Sequence, residues 1–223
     1  MNDVCSIFPN TIGKNAALKY KDYTRLLSKY PPLKKLIRLA RPLRYTIPIW
    51  RSLNDAVLYA VIGQMLSVSA SASIINRLYK NLGLADDILQ WAQKNYHKKG
   101  PVMGVSQRKR KALRAWSIYA DDSKGRWKDW KNMPLSEYRD EICRIWGFGR
   151  WSADMIAIFH LGRMDVWPET DGGIQKSSRL VFGTANHSVI KKMVSGCETV
   201  TALYLWELIN KGLLHCFKDG GNG

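Results

Sequence analysis

A chain of 223 residues with 46% hydrophobic and 24% charged residues has an ordinary globular composition, which excludes a disordered protein. The 35 lysines and arginines outnumber the 18 acidic residues, and the net charge of +17 favours a polyanionic partner such as a nucleic acid. The charge alone is also compatible with a basic surface that has no specific partner, or with an acidic membrane as the partner. No apolar run is long enough to span a membrane and the N-terminus has no secretory signal pattern, so we expect a cytoplasmic protein without a membrane partner.

The first third of the chain predicts helices separated by prolines. The first 50 residues match no motif, but two prolines open a segment over 31–43 whose leucines have helical spacing. A helical region follows over 52–82, which Ser52 and Asp55 begin with a pattern close to a capping box. Its run AVLYAVIGQMLSV is apolar nearly all round, as in a buried central helix, and a break is expected around 64–67.

The rest of the chain also predicts helices. Their amphipathic spacing covers residues 86–96, 106–120, 136–145, 152–161, 173–181 and 198–211. Only residues 164–167 resemble a short strand, so the predicted class is all-α. The four cysteines are isolated and have no matching histidine clusters, so neither zinc nor an iron–sulfur cluster is expected.

The most specific stretch is RIWGFGRWSADMIAIFHLG, over residues 144–162. It predicts a helix that turns sharply at Gly147 and Gly149, followed by a second helix that opens at Ser152. Glycines permit positive φ and close approach of the backbone, and the amides there can bind a phosphate beside the charge of Arg150. For GFG alone, an ordinary αα-hairpin with a glycine turn is the better interpretation.

The sequence around this stretch favours the phosphate-binding interpretation. GFGRWSAD, the following MDVWPETD and the upstream GQMLSV resemble the helix-hairpin-helix DNA glycosylases, most closely the 3-methyladenine DNA glycosylase II proteins. The resemblance extends over residues 31–211. It implies an all-α, two-lobe fold with the active site in the interlobe cleft, in the compact form that lacks an extra β-domain.

The resemblance also implies how the chain is divided. Residues 1–50 together with 165–223 would form one helical lobe. Residues 51–164 would form the central lobe, which carries the helix-hairpin-helix at about 140–161. The protein would act as a monomer on double-stranded DNA, associated with the nucleoid of a bacterial-type cell.

By resemblance, Asp171 is the catalytic residue. A carboxylate stabilises the positive charge that builds on the sugar as the N-glycosidic bond breaks, and it can orient or deprotonate the attacking water. Aspartate is also a good helix cap, so Asp171 is expected to cap a helix that begins at Gly172 as well. Bifunctional members carry a lysine nucleophile where this chain has Trp151, so we expect a monofunctional enzyme without lyase activity.

A base that leaves the duplex needs a pocket, and the gap it leaves needs a wedge. The resemblance gives Trp151, Met155 and Trp206 as pocket residues, and indole faces would attract a cationic alkylpurine. It gives Met65 with Gln64 as the wedge. From sequence alone, a buried core methionine is the commoner role for a residue such as Met65.

Contacts to the DNA backbone are expected from the hairpin, from the helix after the aspartate and from the basic run over 108–114. The residues assigned to them are Gly147, Gly149, Arg150, Lys176, Ser177 and Lys109. A solvated basic helix face explains the basic run equally well. No cofactor is expected beyond a monovalent cation at the hairpin backbone.

The implied function is hydrolytic removal of an alkylated purine from double-stranded DNA, which leaves an abasic site, as in base excision repair. Gly172 and Gly173 stand where the family has larger side chains and favour a roomier pocket. One alternative is therefore a glycosylase of the same fold for a bulky hypermodified base, such as those in phage DNA, with a role in phage defence. An alternative from another class is a non-catalytic DNA-binding module.

Overall fold

The computed structural model describes residues 23, 27–28, 30–41, 43, 47–50, 52–123 and 125–217. Among these residues it contains α-helices and no β-strand, which confirms the predicted all-α class. The helices are α1 (Pro31–Ala40), α2 (Leu53–Gly63), α3 (Val68–Leu82), α4 (Ala85–Asn95), α5 (Gln107–Asp122), α6 (Leu135–Cys143), α7 (Arg150–Phe159), α8 (Gly172–Phe182), α9 (His187–Met193) and α10 (Glu198–Asn210). None of these described helices is both long and apolar enough to cross a membrane.

The chain divides into two compact units. The described part of the first, which we call the hairpin unit, spans residues 47–162. The described part of the second, the aspartate unit, combines residues 163–217 with residues between 23 and 43. The predicted assignment of residues 1–22 and 218–223 to a lobe lies outside the described residues.

Helix α2 is the centre of the hairpin unit. Ser52 caps it by accepting a hydrogen bond from the Asp55 N–H at 3.0 Å, as the sequence predicts. Its apolar positions are buried on several sides, because α3, α4, α5 and α7 all pack against it. The predicted break is also confirmed, since α2 ends at Gly63 and the Ser67 side chain caps α3 by accepting from the Ala70 N–H.

The basic helix α5 is not simply a solvated face. Arg110 is fully buried. Its guanidinium donates to the carbonyl oxygens of Asn95, Lys98, Gly100 and Val105. Because the last carbonyl of α4 and three carbonyls of the connection between α4 and α5 converge on one cation, this arginine holds that connection in place. It is therefore a structural residue.

The hairpin is built from α6 and α7. A buried ion pair links them, with Arg139 Nε and Nη2 each 2.7 Å from Asp154 Oδ1. The Tyr138 hydroxyl donates to the Ala153 carbonyl at 2.8 Å. Gly147 in the turn has φ 87°, and a Cβ added there would lie 2.5 Å from the Cβ of Ala112 in α5. Only glycine allows the turn to approach α5 this closely.

The aspartate unit packs α1, α8 and α10 together. Residues 164–167 resemble a short strand in sequence, but they form none, since the described part of the chain contains no neighbouring strand with which they could pair. Instead, the buried Thr199 hydroxyl accepts from the Val166 N–H at 3.1 Å and lies 3.0 Å from the Arg163 carbonyl oxygen, to which it donates. Helix α9 was not predicted, since its seven residues are too few for a clear amphipathic pattern.

The turn at Gly147 yields a test of this packing. Gly147→Ala should lower the free energy of unfolding by about 2–4 kcal/mol. The alanine would have a Cβ in a left-handed backbone conformation, and that Cβ would clash with α5. Gly149→Ala is the matched control, since a Cβ there meets nothing within 4 Å and its φ is −134°. Chemical denaturation of both variants measures the difference. Equal stability of the two would contradict the close packing of Gly147.

Candidate active site

Asp171 is the N-cap residue of α8. Its Oδ1 atom accepts a hydrogen bond from the Ile174 N–H at 2.9 Å, so the predicted capping role is confirmed. The same oxygen accepts a second hydrogen bond from Trp206 Nε1 at 3.0 Å. The side chain is partly exposed. Two donors from different helices therefore converge on one oxygen of a carboxylate that solvent can reach.

The glycines after Asp171 differ from each other. A Cβ added at Gly172 meets nothing within 4 Å, whereas one at Gly173 would lie 3.0 Å from both Asp171 Oδ1 and Ile209 Cδ1. The prediction that both glycines create room is thus wrong for Gly173. Because Gly173 has no side chain, α10 can come close enough for Trp206 to reach the carboxylate.

The hairpin presents an open backbone surface at the start of α7. Gly149 is the N-cap residue and is exposed, and no atom would contact a Cβ at this position. It does not have the positive φ expected of it, because its backbone is extended. The first N–H groups of a helix have no partner within the helix, and exposed Arg150 adds charge beside them.

Gln64 ties the connection between α2 and α3 to the hairpin. Its Nε2 donates to the Gly147 carbonyl and to the Ser152 hydroxyl, both at 2.9 Å. The side-chain amide is half-buried and directed into the protein. The assignment of Gln64 as part of the wedge is therefore corrected, because its amide holds the hairpin turn.

Met65, next to it, is the most exposed large apolar residue among those described. Its side chain is fully accessible and its φ is 57°. The interpretation of Met65 as a core methionine is thus wrong. Leu66 and Val68 are also exposed, so three apolar side chains project from the connection between α2 and α3 and from the start of α3. The sequence alone did not single out the latter two, although they lie within the GQMLSV motif.

The aromatic and apolar residues assigned to the pocket lie in both units. Trp151 is half-buried and packs on Gly63, where an added Cβ would lie 3.2 Å from the indole Cη2 atom. Met155 is in the same helix, α7, and is buried. Trp206 is half-buried in the aspartate unit, against Asp171.

Of the side chains assigned to the DNA backbone, two are bonded within the protein, Ser177 and Lys109, and Lys176 is exposed. Ser177 is buried and its hydroxyl donates to the Gly173 carbonyl at 2.7 Å, so the prediction that it contacts phosphate is wrong. Lys109 donates to the Ile62 carbonyl at 2.7 Å at the end of α2, and burial lowers the pKa of its ammonium group. Lys176, in contrast, is exposed.

Trp146 is a surface feature that the sequence analysis did not assign. It immediately precedes Gly147 and its side chain is 52% exposed. Arg144 and Arg150 on either side of it are exposed as well. The position of an aromatic residue directly before the GFG turn was the available signal.

Among the described residues, no group of three or more His, Cys, Asp or Glu side chains could hold a metal ion.

Comparison with known proteins finds similarity to DNA glycosylases. No family model matches the chain. In sequence it is similar to the alkylbase DNA glycosidase-like protein mag2 of Schizosaccharomyces pombe, with 25% identity over 166 residues, which covers 69% of this chain and 76% of that protein.

Solved structures show the same fold. The 3-methyladenine DNA glycosylase Mag1 of Schizosaccharomyces pombe, in complex with abasic DNA, matches with a TM-score of 0.70 and 20% identity over 85% of this chain and 97% of that chain. An 8-oxoguanine glycosylase/lyase of Clostridium acetobutylicum matches with a TM-score of 0.67 and 15% identity, over 84% and 70% of the two chains. The predicted helix-hairpin-helix DNA glycosylase fold is confirmed.

Two methionines allow a test of which side chains form a surface and which form the core. Met65→Ala should change the free energy of unfolding by less than about 0.5 kcal/mol, because the exposed side chain packs against little. Met155→Ala, its matched control in α7, should cost about 2–5 kcal/mol through the cavity that it leaves. Chemical denaturation measures both. A large loss of stability in Met65→Ala would show that this residue belongs to the core.

Proposed function

We propose that this chain is a monofunctional DNA glycosylase, which hydrolyses the N-glycosidic bond of a modified base flipped out of double-stranded DNA. The observation that carries this proposal is the carboxylate of Asp171, which is oriented by two donors and partly exposed. It follows the hairpin at the spacing of the family. Similarity to alkylbase and 3-methyladenine glycosylases supports the same activity.

The reaction requires little of the protein besides a well-placed charge. As the bond between the sugar C1′ and the base nitrogen breaks, its electron pair leaves with the base and positive charge develops on the sugar. The Asp171 carboxylate stabilises that charge and accepts a proton from the water that attacks C1′. The products are a free base and an abasic site.

Water is the nucleophile in this proposal because the chain offers no amine at the relevant position. A glycosylase that also cuts the strand forms a Schiff base between a lysine and the sugar. This chain has Trp151 there, and an indole cannot form such an adduct. One structure with the same fold is a glycosylase/lyase, so the absence of lyase activity requires its own experiment.

The hairpin unit supplies the grip on DNA. We assign phosphate contacts to the backbone at Gly147 and Gly149 and to Arg150, since Gly149 and Arg150 are exposed and the arginine adds positive charge. We assign the wedge to Met65, which is exposed, apolar and flexible enough to enter a base stack. Lys176 adds an exposed cation on the helix that Asp171 caps. A monovalent cation at the hairpin backbone stays a prediction.

The substrate class that we propose is an alkylated purine. Such a base carries positive charge, which an indole face such as that of Trp206, beside Asp171, would attract. A bulky hypermodified base is a second candidate, and the open space beside Gly172 is the observation in its favour. Gly173 gives it no support, since a Cβ there would lie 3.0 Å from both Asp171 Oδ1 and Ile209 Cδ1.

The test of the function is the release of free bases, detected by mass spectrometry. Duplexes that carry alkylated, deaminated, oxidised or bulky modified bases are incubated with the protein. We expect release of alkylpurines, and a loss of about 100- to 1,000-fold in rate for Asp171→Asn. Asparagine is an equally good N-cap, so this variant should remain folded. DNA binding without release of any base would favour the non-catalytic module instead.

Borohydride trapping tests the monofunctional assignment. Reduction during the reaction converts a Schiff base into a stable protein–DNA adduct, and we expect no such adduct because water attacks the sugar. A glycosylase/lyase serves as the positive control on the same duplex. A covalent adduct formed at the rate of base release would show that an amine of this chain is the nucleophile.

A further inference from the structure

We propose that Trp206 is a positioning residue for the Asp171 carboxylate, and that glycine at position 173 is required for this contact. The inference rests on the proposed function, and it goes beyond the role of Trp206 as a wall of the base pocket. What orients the carboxylate is the N–H edge of the indole, whereas a pocket wall would use only its face.

The geometry of the hydrogen bonds supports this role. Oδ1 of Asp171 accepts from the Ile174 N–H at 2.9 Å and from Trp206 Nε1 at 3.0 Å. The backbone donor alone defines one contact of a side chain that can still rotate about its terminal torsion. A second donor from a different helix fixes the plane of the carboxylate, and thereby the direction of its other oxygen. An aligned carboxylate stabilises charge without reorganising during the reaction.

The donor itself is held firmly. Trp206 lies in α10, where its neighbours Tyr204, Leu205 and Glu207 are all buried. Helix α10 packs against α8, the helix that Asp171 caps. An indole has one N–H donor on a rigid ring, so the position of α10 determines where that donor points.

Gly173 determines how close α10 can come. A Cβ at this position would lie 3.0 Å from Asp171 Oδ1, 3.0 Å from Ile209 Cδ1 and 3.7 Å from Trp206 Cδ1. Any larger residue would therefore press on the carboxylate and on Ile209 of α10, beside the Trp206 ring. The glycine costs helix stability at this position, and the contact between Trp206 and Asp171 is what it permits.

The experiment separates the rate of base release from DNA affinity. Trp206→Phe keeps an aromatic face but removes the N–H donor. We expect its single-turnover rate of release to fall about 10- to 100-fold, the effect of losing one hydrogen bond to a charged group. Its affinity should change less than about twofold, both for abasic DNA and for a duplex whose 2′-fluoro sugar prevents release of the modified base.

Two further variants make the result specific. Trp116→Phe, the matched control, also removes an indole donor, which bonds to Asn54 Oδ1 at 2.8 Å in the hairpin unit, and it should retain the wild-type rate. Gly173→Ala should lower the rate of release like Trp206→Phe. A role as base wall alone would instead weaken binding of the 2′-fluoro duplex while leaving binding of abasic DNA unchanged. That outcome, or an unchanged rate in Trp206→Phe, would overturn the proposal.

A spectroscopic measurement distinguishes failure of this inference from failure of the proposed function. In protein labelled with ¹⁵N-tryptophan, the indole N–H signal of Trp206 is identified by its loss in Trp206→Phe. Asp171→Ala should shift that signal more than any other indole signal, because it removes the acceptor. If the wild type releases no base, the proposed function fails, and the shift still decides the contact. An unmoved Trp206 signal would overturn the inference even in an active enzyme.

Discussion

The aspartate unit depends on one carboxylate oxygen that accepts two hydrogen bonds. Oδ1 of Asp171 begins α8 by capping it and, through Trp206, is bonded to α10. The cap therefore determines where a helix starts, and the indole determines how the capping group is turned. Because both donors use the same atom, the residue that would perform the chemistry is also part of the structure around it. A substitution at Asp171 should be judged by stability and by rate together.

In the hairpin unit, too, a single side-chain atom makes two hydrogen bonds, but here the atom is a donor. Gln64 donates to the carbonyl of Gly147 and to the hydroxyl of Ser152, so one amide joins the turn, the start of α7 and the end of α2. Lys109 and Arg110, which composition would assign to a DNA-binding face, donate instead to backbone carbonyls. Part of the positive charge thus forms hydrogen bonds within the fold. The net charge therefore overstates the number of cationic side chains available to a polyanion.

The sequence was sufficient for every described α-helix except the short α9, because apolar spacing and capping residues are local signals. It also located the hairpin and Asp171, since the motif and its spacing are contiguous. It could not tell that Ser177 faces inward or that Met65 faces outward, because orientation depends on which distant elements pack there. Gly173 shows the limit most clearly. A glycine beside a functional residue indicates either room or a close approach, and only the position of α10, more than twenty residues later, decides which.

Gln64 and Met65 are adjacent, and this adjacency has a mechanical consequence. Met65 holds a left-handed backbone conformation between two helices, while its neighbour is bonded to the hairpin turn. The side chain that would enter the base stack and the amides that would hold a phosphate therefore belong to one rigid frame. Their spacing is determined by contacts within the hairpin unit itself. In the proposed function, this frame would fix the distance from a bound backbone phosphate to the base step that Met65 enters.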